Sequence, residues 1–78
     1  MSLKRCYRAG SEEGRPGWRI AFPFDEAVLE RLESAIPWYD RQWHPRPVWE
    51  WWIAAEHEAT LRRLFADFGL FADAPRLL

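Results

Sequence analysis

Trp38-Tyr-Asp-Arg-Gln-Trp-His-Pro-Arg-Pro-Val-Trp-Glu-Trp-Trp-Ile53 decides how this chain folds. Five of its six tryptophans fall within these residues, so the core has to form around them. In the middle lies His44-Pro-Arg-Pro47, where two prolines forbid a helix and favour a bend. An aromatic run on either side of such a bend predicts a β-hairpin.

Period-two alternation divides the hairpin into faces. Tyr39, Arg41 and Trp43 share one face of the first strand, with Trp38, Asp40 and Gln42 on the other. Beyond the bend, Trp49, Trp51 and Ile53 point one way and Val48, Glu50 and Trp52 the opposite way. The first set is the natural core face, with Tyr39 and Trp43 facing Trp49 and Trp51 as cross-strand aromatic pairs. Trp38 and Trp52 are then the two tryptophans that a one-sided sheet leaves uncovered.

Working outward, Trp18-Arg-Ile-Ala-Phe22 alternates in the same way, with Trp18, Ile20 and Phe22 on one face. Leu3 to Arg8 can be extended, but neither of its faces is wholly apolar, so it reads as an edge strand antiparallel to residues 18–22. Between them, Gly10-Ser-Glu-Glu-Gly-Arg-Pro-Gly17 has the composition of a flexible loop. Pro23 ends the strand, and Asp25 is a good N-cap for a helix. Phe24 and Leu29 have the spacing of a hydrophobic staple. Val28, Leu29, Leu32, Ala35 and Ile36 mark the apolar face, and Pro37 stops the helix. A second helix is predicted over Ala54–Phe68, with His57, Leu61, Leu64, Phe65 and Phe68 as its stripe and Gly69 just past its end.

The expected fold is α+β: one small domain in the order (β)βαββα, two helices packed on a short antiparallel or mixed sheet with a Trp-rich hairpin. It divides into a basic edge strand and Gly-rich loop (1–17), the α+β body (18–70) and a C-terminal tail (71–78). Seventy-eight residues give room for a single core. Large aromatic side chains offset the small size, each burying roughly 150–250 Å². The one cysteine, Cys6, precludes an internal disulfide, and no Cys/His cluster has zinc spacing, so neither metal nor cofactor is expected. Cys6 itself reads as a small half-buried strand residue.

No apolar run approaches the roughly 18 residues of a membrane span. No apolar segment follows Lys4, Arg5 and Arg8 as a signal peptide requires, so the expected location is the cytoplasm. A net charge of −1 supplies no global attraction to nucleic acid, but the charges are unevenly placed. Residues 1–20 hold five cations against two acids, and residues 21–78 hold six against ten, which leaves the N-terminal end basic.

Ile20-Ala-Phe-Pro-Phe-Asp25, a helix with Leu29 and Leu32, Ile36-Pro37, Trp43-His-Pro45, Val48-Trp49-Glu-Trp51 and a second helix together resemble the HARP domain. The resemblance spans about residues 18–66. That family's modules stand beside helicase motors and contact branched or single-stranded DNA. No Gly-rich phosphate loop is present, so the resemblance implies a non-enzymatic accessory module and not an ATPase.

Phosphates need cations, and unstacked bases stack on Trp and Tyr rings. The expected nucleic-acid-binding residues are therefore Arg41, Arg46, Trp38 and Trp52 on the hairpin, extended by Lys4, Arg5 and Arg8. The bland alternative is that the arginines are solvated and the tail covers both tryptophans. A protein interface or homodimer built on Trp38, Trp52 and the tail competes with the DNA reading. His57 is flanked by Glu56 and Glu58, but successive helical residues point apart, so a hydrogen-bonded structural histidine is expected. His44 reads as a turn residue. Neither catalysis nor a small-molecule substrate is expected.

Overall fold

The computed structural model describes residues 1–72. The strands are β1 (Arg5–Arg8), β2 (Gly17–Ala21), β3 (Arg41–His44) and β4 (Glu50–Ala54). The helices are α1 (Glu26–Ala35), α2 (Glu58–Leu64) and α3 (Phe68–Ala72). The α+β class and the antiparallel β1–β2 pairing agree with expectation.

Local chemistry explains most boundaries. Asp25 caps α1, its Oδ1 accepting from the N–H groups of Ala27 at 3.0 Å and Val28 at 3.2 Å. The helix ends at Ile36, immediately before Pro37. The expected staple does not form: Phe24 is 83% exposed, while Leu29 packs on the core without it. Trp38–Asp40 is a 3-10 turn and not the start of a strand. The helix expected over Ala54–Phe68 is divided into a 3-10 turn at Ala55–His57, then α2, then α3. Phe65 leaves α2 with extended backbone and brings its ring to Phe22, centroids 5.1 Å apart. Burying that ring outweighs the continuation of one helix, and Gly69 lies inside α3 instead of ending a helix. Phe71 and Ala72 of the expected tail belong to α3, and the rest of the tail lies outside the described residues.

The strand order is β1-β2-β4-β3, antiparallel throughout. β2 and β3 therefore run the same way on either side of β4, which is why a helix, α1, must connect them. β1 is one edge of the sheet and β3 the other. None of the described helices is long and apolar enough to cross a membrane.

Register assigns the faces. Cys6, Ile20, Trp51 and Trp43 form one cross-strand row, and Arg8, Trp18, Ile53 and Arg41 the next. This face carries the helices: Trp18, Ile20 and Ile53 pack with Val28, Leu32 and Ile36 of the α1 segment and with Leu61, Phe65 and Phe68. Trp18 and Phe68 meet edge-to-face at 5.2 Å. Cys6 is buried rather than half-buried.

The hairpin is where the expected burial fails. Tyr39, Trp43 and Trp49, read as core, are 59%, 47% and 73% exposed. The three short helices cover the middle of the sheet and stop before reaching them. Trp52, read as uncovered, is fully buried on the opposite face. The 9–16 loop closes over it: Trp52 Nε1 donates to the Ala9 carbonyl at 3.0 Å, and the Arg15 guanidinium lies 5.5 Å from its ring. Gly17 is required beneath that ring, because a Cβ there would sit 2.5 Å from Trp52 Nε1. The loop is held, not flexible. Ser11 Oγ accepts from Arg15 N–H, Ser11 N–H donates to the Arg15 carbonyl, and Gly14 takes a positive φ of 82°.

Candidate functional site

Three places on the molecule concentrate chemistry. The first is a groove of about 710 Å³ at one end of the helix-covered face. Its walls are Phe22, Phe24, Leu29, Trp43, Trp49 and Trp51, with Lys4 at the side. Trp43 stands between the other two tryptophans, 5.2 Å from Trp51 and 6.4 Å from Trp49. Lys4 is the one charged residue among the described walls, and no carboxylate joins it. The hairpin positions Trp43 and Trp51 by direct pairing, and Pro23 and Phe24, just past β2, line the same groove.

The second place is the opposite face of the sheet. There Tyr7, Arg19, Trp52 and Gln42 form one row, beside Arg5 with Ala21 and His44 with Glu50. Glu50 is 1% exposed and accepts from three donors: the Tyr7 hydroxyl at 3.0 Å, Arg19 Nη1 at 3.3 Å and Arg5 Nη1 at 3.3 Å. Two guanidinium groups thus converge on one carboxylate. Burial pushes the Tyr7 hydroxyl pKa up, and the hydrogen bond to Glu50 and the negative charge there add to it. The third place is a knot around Arg15. Its Nη2 donates to Asp40 Oδ1 at 2.8 Å and to Glu56 Oε1 at 3.1 Å, and Nη1 to the Tyr39 carbonyl at 2.9 Å. His57 Nε2 lies 2.8 Å from Asp40 Oδ2. The bond from His57, then that from Arg15, holds the Asp40 carboxyl below the usual carboxylate range. Ligand atoms of Asp40, Glu56 and His57 lie within 4.8 Å of one another, a grouping of the kind that holds a metal ion. Here the Arg15 guanidinium already bridges the two carboxylates. The knot ties the loop to the hairpin's entry and to the 3-10 turn before α2.

The seven residues expected to bind nucleic acid do not form one surface. Trp52 is removed from consideration by its burial. Arg41 donates from Nε to the Ile36 carbonyl at 2.9 Å, pairs with Glu33 at 3.6 Å and lies over Trp51, so it is engaged in holding the hairpin to α1. Trp38 is exposed and meets Tyr39 in a T-shaped ring pair, centroids 5.7 Å apart. Arg46 is exposed on the hairpin bend. Lys4, Arg5 and Arg8 are near one another along the β1 segment but on different faces: Lys4 towards the groove, Arg8 over the Trp18 ring at 4.9 Å, and Arg5 on the opposite face over Glu50.

Sequence reasoning missed Arg19 and Glu50. Period two shows that Arg19 points away from Trp18 and Ile20. Only the register shows that it then stands beside Tyr7 and within reach of Glu50. It also missed Phe24 as a wall of the groove, having assigned it to the staple. Comparison of the chain with protein-family models, with curated proteins and with solved structures gave no match.

Proposed function

We propose that this domain is a non-enzymatic module that binds single-stranded or branched DNA along the β1–β2 edge of its sheet. One observation carries the reading. Antiparallel pairing sets Arg5 and Arg19 on the face of the sheet away from the helices, with Lys4 just before β1 and Arg8 at its end on the other face, and neither strand contains an acid. Among the described residues, the carboxylates bonded to this edge are Glu50 and Asp67, the latter accepting from the Leu3 N–H, which leaves a local balance of +2. Arg5 and Arg19 each use one nitrogen on Glu50, so most of their guanidinium N–H groups remain for phosphate oxygens. The likeness of residues 18–66 to the HARP domain supports the same reading, with the cytoplasm as the compartment.

The test is fluorescence anisotropy with labelled single-stranded, forked and duplex DNA across a salt series. Binding is expected to weaken steeply with salt, and the slope to flatten by about 1 for each phosphate-contacting arginine replaced by glutamine at positions 5, 8 and 19. Arg8→Gln leaves the Glu50 cluster intact and serves as the variant least coupled to folding. Affinity weaker than about 10⁻⁴ M for all three DNAs at low salt would sink the proposal.

A further inference from the structure

We infer that the aromatic groove is a docking site for an apolar segment of another protein that carries a carboxylate. This surface lies on the other face of the sheet from Arg5 and Arg19 and shares with the DNA reading Lys4 alone, which stands where the groove meets the β1 edge.

Exposed aromatic rings scattered singly need no explanation, but a contiguous cluster does. Phe24, Trp43 and Trp49 are all exposed and meet in one concavity with half-buried Trp51 and Leu29. Its size falls in the range that encloses a ligand or a few large side chains. Bulky apolar groups inserted between these rings would leave water behind, which is how aromatic anchors dominate an interface.

Charge selects among occupants. Lys4 is the one charged wall residue among those described, and its backbone N–H is pinned to the Ala21 carbonyl at 2.8 Å, which fixes where its side chain leaves the backbone beside the groove. A second copy docked groove to groove would bring two lysines into the contact, with no carboxylate from either described wall to meet them. A nucleic-acid strand needs a cation for successive phosphates, and none of the described walls is an arginine. A peptide with two or more bulky apolar residues and one Asp or Glu satisfies both the rings and the ammonium.

The experiment selects 12-residue peptides from a phage-displayed library against the folded chain, then measures one synthetic winner by tryptophan fluorescence. The enriched peptides are expected to combine bulky apolar residues with an acid. Trp49→Ala and Lys4→Glu should each weaken binding at least tenfold, and selection against Lys4→Glu should replace the acid with Lys or Arg. Both positions are exposed, and circular dichroism of the two variants checks that the fold is kept. Four outcomes would overturn the inference. These are no enriched peptides, enrichment without the acid, a homodimer in sedimentation that Trp49→Ala dissociates, or oligo-dT binding lost in Trp49→Ala. The last two would reassign the groove to a second copy or to DNA. Loss of DNA binding in the arginine variants alone leaves the inference standing.

Discussion

Replacing Trp52 with alanine removes the largest fully buried side chain of the domain, whereas replacing Trp49 removes a ring that is mostly in water. The two residues are three apart in sequence, and alternation assigns them the reverse roles. Trp→Ala at a filled interior site costs about 3–5 kcal/mol, transfer and cavity together. At Trp52 the Ala9 carbonyl also loses its donor, which adds about 1 kcal/mol. A chain of this length has about 4–12 kcal/mol of stability in total, at roughly 0.05–0.15 kcal/mol per residue. Trp52→Ala should therefore remove between about a third and all of the domain's stability. Trp49→Ala should stay within about 0.5 kcal/mol of the parent, as surface substitutions do. Urea denaturation followed by far-ultraviolet circular dichroism measures both, because the midpoint follows the loss of backbone structure and does not rely on either tryptophan as the reporter. A cost above about 2 kcal/mol at Trp49, or below about 1 kcal/mol at Trp52, would refute the assignment of faces.

Two further predictions concern local features. Asp25→Ala removes the acceptor for two N–H groups of α1 and should cost about 1 kcal/mol, a fall in Tm of about 4–8 °C for a domain of this size, read by thermal melting. Stability should also depend on pH at both ends. Asp40 and Glu13 have folded pKa values below their usual ones, so their contribution is complete above about pH 4–4.5 and is lost as pH falls through the lowered values. Tyr7 is shifted up, so its contribution is present below about pH 10 and lost as pH rises through the raised value. Urea midpoints measured from pH 2 to 11 should show both limbs. Asp40→Asn should flatten the acid limb and Tyr7→Phe the alkaline one.

Period and punctuation in the sequence determined the elements. Trp18, Ile20 and Phe22 alternate because one face of β2 is buried. Asp25 and Pro37 bracket α1 by chemistry that acts within a few residues, and His44-Pro-Arg-Pro47 separates two strands because proline cannot continue either. Each of these signals is local, and each was legible without the fold. The basic character of residues 3–8 was legible too, and with it three of the four cations gathered at the β1–β2 edge.

What alternation cannot say is how far cover extends over each face. Both faces of β4 are aromatic, so either was a candidate core. The decision came from parts distant in sequence. The 9–16 loop, braced through Arg15 on Asp40 and Glu56, closes over Trp52. The helices cover Trp18, Ile20 and Ile53 and run out before Trp43 and Trp49. Phe65 likewise broke a continuous helical stripe because its ring gained a place beside Phe22. The Trp38–Ile53 stretch by itself thus determined a hairpin between two short strands. Only the tertiary structure decided which of its tryptophans hold the domain together and which line an open groove, because burial is a property of what packs against a side chain and not of the side chain's position along a strand.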